Sequence, residues 1–124
     1  MIVGFCSQGA LASDRIASIV PALVDLAQRA HDAGVRDFVF TQDTHPPDSP
    51  EFAAFPPHCI QGTEESEMIP ELKALPFSHQ FTIFEKNSLH PALGTGFDAW
   101  LQTRPNLRTA IVVGNCTYLC VYQL

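Results

Sequence analysis

Apolar residues Ile16, Ile19, Val20, Leu23, Val24, Leu26 and Ala30 recur at helical spacing between Ser13 and Ala33, which predicts a helix opened by Ser13-Asp14 and closed by Gly34. Pro21 either bends that helix or marks its true first turn. Val35 to Thr41 is β-branched and aromatic, His79 to Glu85 alternates loosely, and Thr109 to Val113 is a continuous apolar run, so these segments predict strands. Between them, Glu64 to Ala74 and Thr95 to Thr103 predict short helices, one with acidic residues near its first turn and the other with Trp100 and Leu101 on its buried face. Strand and helix alternate, which implies an α/β fold: a parallel sheet covered by helices on both faces, with ligands held outside the carboxyl ends of the strands. Chemistry is therefore expected just after Phe40, Phe84 and Val113.

Composition narrows the partner more than the fold. A chain of 124 residues, 46% hydrophobic and 16% charged, suits one globular domain. No stretch approaches the ~20 apolar residues of a spanning helix. Thirteen acidic against seven basic residues give a formal charge of −6, the wrong sign for nucleic acid or an anionic membrane surface. A small-molecule or protein partner is expected instead. The opening Met1-Ile2-Val3-Gly4-Phe5-Cys6 and the following Ala10-Leu11-Ala12 suggest a short signal peptide only superficially, because the stretch lacks a basic start and sufficient length. Free thiols at Cys6, Cys59, Cys116 and Cys120 and a cytoplasmic location are expected.

Each of the three strand ends carries reactive-looking residues. After Phe40, Asp43 and His45 point to one side of an extended segment, and the proline-rich loop that follows can fold Glu51 and His58 back towards them. Two carboxylates and two imidazoles make a mixed N/O set suited to Zn²⁺, Mn²⁺ or Fe²⁺, although Asp43 capping a turn and solvated loop histidines would explain the same residues. After Phe84 comes Lys86, ordinary at a strand end unless a thiol lies nearby for it to activate. After Val113, the run Gly114-Asn115-Cys116-Thr117-Tyr118-Leu119-Cys120-Val121 predicts a tight turn and a helix start. There Cys120 is either a nucleophile favoured by the helix dipole and backbone N–H groups or a buried structural cysteine.

Taken together, Val3-Gly4-Phe5, Asp43-Thr44-His45, the stretch from Glu51 through Phe55-Pro56-Pro57-His58-Cys59 to Gly62-Thr63, Phe84-Glu85-Lys86-Asn87 and Val113 to Val121 resemble the isochorismatase-like cysteine hydrolases, most closely their nicotinamidase and pyrazinamidase branch. The resemblance implies a three-layer Rossmann-like domain over residues 1–124. It also implies a reaction in which a cysteine attacks a small, (hetero)aromatic amide, releases ammonia and leaves a thioester for water to hydrolyse. On that basis Cys120 is expected as nucleophile, Lys86 as the supporting cation and the N–H groups of Cys116 and Cys120 as oxyanion hole. Asp43, His45, Glu51 and His58 become the expected ligands of a divalent metal, and Phe5 and Phe55 the residues that sandwich the substrate ring. A cis Asn115–Cys116 peptide and a homo-oligomer are implied as well. N-carbamoyl or ureido amides, isochorismate, or a catalytically dead ligand-binding role are the alternatives. Three departures stand out: the family's first-strand Asp would precede Met1, Tyr118 replaces a usual Asp, and the family continues beyond Leu124, so an incomplete domain is expected.

Overall fold

A computed structural model describes residues 1–124. Its centre is a parallel pair of strands, β1 (Phe38–Asp43) and β2 (Phe81–Lys86), in a register that runs from Phe38 opposite Phe81 to Asp43 opposite Lys86. The short helices α1 (Val3–Cys6), α2 (Asp14–Ala17), α3 (Val20–Asp32), α4 (Pro70–Lys73) and α5 (Phe97–Gln102) surround it, with 3₁₀ turns at Pro50–Ala53, Glu64–Ser66 and Ser78–Gln80. This is the α/β arrangement expected from the alternating pattern. Phe38, Phe40 and Phe81 pack on a core of Val3, Cys6, Val20, Met68, Ile69, Leu72, Leu75 and Phe77. On the opposite face Phe84 meets Phe97 and Trp100 of α5 edge-on, so both faces of the sheet are covered. No helix is long and apolar enough to cross a membrane.

Several predicted elements are corrected. The periodic segment from Ser13 to Ala33 forms two helices, not one. The Ser13 side chain caps α2 by accepting from the Arg15 amide, and Pro21 lies in the first turn of α3, where a missing N–H costs nothing. Gly34, at φ +98°, closes α3 as expected, with the Val35 amide returning to the Ala30 carbonyl; β1 consequently begins only at Phe38. Pro70 splits the predicted helix from Glu64 to Ala74, because it holds Ile69 extended and starts α4 afresh. In α5 the buried residue is Phe97; Trp100 is half-buried, with the Arg104 guanidinium 3.7 Å over its ring.

The largest correction concerns the third strand. Thr109 to Val113 pairs with no other segment, and Ile111, Val112 and Val113 are exposed. An apolar run becomes a strand only when a neighbour shares its ladder hydrogen bonds, and this segment makes none.

Leu72 is fully enclosed, whereas Leu93 is 68% exposed. Leu72→Ala is expected to remove about 2–5 kcal/mol of stability, and Leu93→Ala no more than about 0.5 kcal/mol, measured as shifts in the urea unfolding midpoint.

Candidate active site at the strand ends

Parallel pairing brings the last residues of both strands level, so Asp43 and Lys86 are register partners. Both side chains are buried, and the Lys86 ammonium donates to Asp43 Oδ1. It also donates to the Ser88 carbonyl at 2.9 Å and lies 3.7 Å from Cys120 Sγ. Burial pulls the Lys86 ammonium down, but Asp43 and then Cys120 more than offset it, and its pKa is raised on balance. The lysine therefore stays charged and joins the second strand end to both the first and third clusters.

Beyond β1 the chain runs on to His45, which bridges to Ile60: the His45 amide donates to the Cys59 carbonyl, and the Gln61 amide returns to the His45 carbonyl at 2.8 Å. This pairing carries His58 alongside His45, with ring centroids 4.7 Å apart. Ligand atoms of Asp43, His45 and His58, all buried, lie within 4.8 Å of one another. Glu51, on the 3₁₀ turn, places one carboxylate oxygen 3.8 Å from His58 Nε2 and the other 4.0 Å from His45 Nδ1. His45 Nδ1 lies 2.7 Å from Asn87 Oδ1, and His58 Nδ1 lies 2.8 Å from the Pro56 carbonyl, which can only accept. Neutral rings held in this way present bare Nε2 atoms. His45 Nε2 is buried without any partner, a cost of about 1–3 kcal/mol unless something accepts its lone pair. Two imidazole nitrogens with adjacent carboxylates are the donor set of a zinc-like divalent ion, so these residues fit such a group.

Aromatic rings wall this cluster. Phe5 lies 6.0 Å and Phe55 6.4 Å from His58, while Phe52 sits edge-on to both imidazoles. Phe52, Ser49 and Asn87 are site residues to which sequence reasoning gave no role. The i+1 spacing of Phe52 from Glu51 and of Asn87 from Lys86 was visible, but not what they touch. Cys59 takes a left-handed φ of +47°, and its amide is held by Glu65 Oε2 at 3.0 Å. Its Sγ leaves no room at Gly4, where a Cβ would stand 2.7 Å from it. The segment bearing Phe5 therefore lies directly on the turn that bears His58.

Cys116 and Cys120 share a series of turns in which the Leu119 and Val121 amides donate to the Cys116 carbonyl. The predicted helix start is absent, so the dipole expected to favour a Cys120 thiolate is absent too. No cis peptide occurs at Asn115–Cys116 or elsewhere. Neither the Cys116 nor the Cys120 N–H donates to a backbone carbonyl. Burial pushes the Cys120 thiol up, Lys86 pulls it down, and Asp43 and Cys116 push it up again; the balance is upward, opposite to the lowering expected from Lys86 and a helix start. Cys59 is held far higher, at about 12, by burial together with Asp43 and Glu65.

Residues 1–124 match the isochorismatase domain, and the chain belongs to that family. Nicotinamidase 1 of Arabidopsis thaliana is 32% identical over 136 residues, an alignment that takes in 99% of this chain and 54% of the plant protein. The chain thus spans about half the length of that relative. A nicotinamidase of Bacillus subtilis superposes with a TM-score of 0.79 at 29% identity, covering 98% of this chain and 71% of the bacterial one. N-carbamoylsarcosine amidase of Thermoplasma acidophilum shares the fold, with a TM-score of 0.84 at 24% identity over 99% of this chain and 68% of its own.

Thiol chemistry checks this geometry. A raised pKa means less thiolate at neutral pH, so Cys120 alkylation by iodoacetamide is expected to climb with pH to a midpoint above the ~8.5 of a free cysteine. Lys86→Met should move that midpoint further up. Mass mapping should find Cys120 labelled ahead of the buried Cys6 and Cys59; earlier labelling of Cys59 would contradict the arrangement.

Proposed function

We propose that this chain carries the working centre of a cysteine amidohydrolase of the nicotinamidase type, which converts a small heteroaromatic amide to its acid and ammonia through a thioester. The observation that carries the proposal is the Lys86 ammonium, bound to Asp43 and within 3.7 Å of Cys120 Sγ, because it places the thiol and the imidazole cluster in one centre. The family match and the identity to a nicotinamidase support the reaction class.

In this reading Cys120 Sγ attacks the amide carbonyl carbon as a thiolate, and the carbonyl electron pair moves onto oxygen. The N–H groups of Cys116 and Cys120, which donate to no carbonyl of the chain, receive that oxyanion. Such a donor is worth about 10²–10³ in rate. The adduct collapses by breaking the C–N bond; the nitrogen takes from solvent water a proton equivalent to the one the thiol released there and leaves as ammonia, and the acyl group remains on sulfur. Water then adds to the thioester carbonyl, and breaking the C–S bond returns the acid and the thiol. Lys86 balances the negative charge on sulfur, which burial would otherwise disfavour. Phe5 and Phe55 flank the substrate ring beside His58. A divalent ion held by Asp43, His45, His58 and Glu51 would supply a Lewis-acidic anchor for a ring nitrogen or a water molecule.

A coupled ammonia assay tests this proposal, with nicotinamide as substrate and N-carbamoyl amides in parallel. Release from nicotinamide is expected, abolished by Cys120→Ala and lowered about 10²-fold or more in kcat/KM by Lys86→Ala. Protein that takes up metal and releases no ammonia from any of these amides would overturn the amidase reading in favour of a ligand-binding role.

A further inference from the structure

The side-chain oxygen of Asn87 ties together three segments of the site. Asn87 follows Lys86 directly at the end of β2, His45 lies just past the end of β1, and Ser49 immediately precedes the 3₁₀ turn that carries Glu51 and Phe52. Asn87 Oδ1 lies 2.7 Å from His45 Nδ1 and accepts from the Ser49 hydroxyl at 3.0 Å. The Ser49 donor is itself buried. A neutral imidazole has one proton for two nitrogens, so an acceptor at one nitrogen determines where the lone pair lies.

We propose that Asn87 is a positioning residue for the His45 imidazole: its carbonyl oxygen, steadied by Ser49, keeps the ring proton on Nδ1 and leaves the buried Nε2 bare. The reverse tautomer would set the Nδ1 lone pair against the Asn87 oxygen. It would also turn the partnerless, buried Nε2 into a donor with nothing to receive it. His58 obtains the same result from the main chain, through the Pro56 carbonyl. At His45 the device is a side chain, so it can be removed by substitution. The same oxygen anchors the start of the Glu51 turn, so Asn87 fixes a ring and a carboxylate approaching from different segments. This inference rests on the metal-binding reading above and adds to it the residue that orients the ligand.

Two measurements on the purified protein decide the matter. In the metal-free state, ¹⁵N–¹H imidazole spectra are expected to show His45 protonated at Nδ1 in the wild type and in Asn87→Asp, which retains an acceptor, and a mixture of tautomers in Asn87→Ala. Competition of Zn²⁺ against a chromophoric chelator should show binding weakened about 10–100-fold in Asn87→Ala and retained within a few-fold in Asn87→Asp, with Ser49→Ala between them. Nε2 protonation of His45 in the wild type, as a reversed carboxamide would give, overturns the proposal. So does wild-type affinity together with an unchanged tautomer in Asn87→Ala. Should Asn87→Ala fail to melt cooperatively, Ser49→Ala carries the test, and wild-type zinc affinity in that variant overturns the proposal. Wild-type protein that binds no zinc yet shows the expected tautomers would refute the metal reading and leave the orienting role of Asn87 in place.

Discussion

An ammonium and a carboxylate held out of water at the ends of two paired strands set the terms for the rest of the site. Neither Lys86 nor Asp43 would tolerate its position alone, since a buried charge stripped of its partner costs about 3–5 kcal/mol. Parallel register makes the pair possible by bringing the two strands to the same height. Three further features follow from it: an anchored carboxylate beside the imidazoles, a cation within reach of a cysteine thiol, and a fixed point from which the Asn87 side chain extends. The core on one face and the Phe84–Phe97 contact on the other pack against the two strands from either side.

What the sequence disclosed and what it withheld divide along physical lines. The positions of Asp43, His45 and Lys86 were legible because strand geometry is short-ranged: a residue at a strand end, or two beyond it, has few places to point, whereas the return of His58 depended on the proline-rich loop folding back. The β-branched and aromatic composition of the two strands and the Gly34 stop were legible for the same reason. Proline at positions 21 and 70 was visible but ambiguous, since it begins a helix as readily as it ends one, and the structure uses it for starts. The segment from Thr109 to Val113 failed for a non-local reason: its apolar composition is strand-like, but strand formation depends on a partner that composition does not reveal. The electrostatics expected at Cys120 failed in the same way, because they presupposed a helix that the chain does not form.

Asn87, Ser49 and Phe52 illustrate a different limit. Each is an unremarkable residue in sequence, and each acquires meaning only from a contact with a ring delivered by another segment. The Asn87–His45 hydrogen bond joins residues 42 positions apart. Ligand residues can be guessed from their own chemistry, whereas the groups that orient them are defined by geometry alone. Both imidazoles accordingly set Nδ1 against the scaffold, at Asn87 Oδ1 and at the Pro56 carbonyl.

The close approach at Gly4 has a bearing on how such a site can change. With Cys59 Sγ occupying the space where a side chain would begin, the strip of backbone carrying Phe5 and the turn carrying His58 behave as one mechanical part. In the proposed site, ring contact at Phe5 and the placement of His58 would then move together. Reshaping the proposed pocket from either ring would disturb His58, because Phe5 bears on its turn and Phe55 lies three residues before it on the same loop.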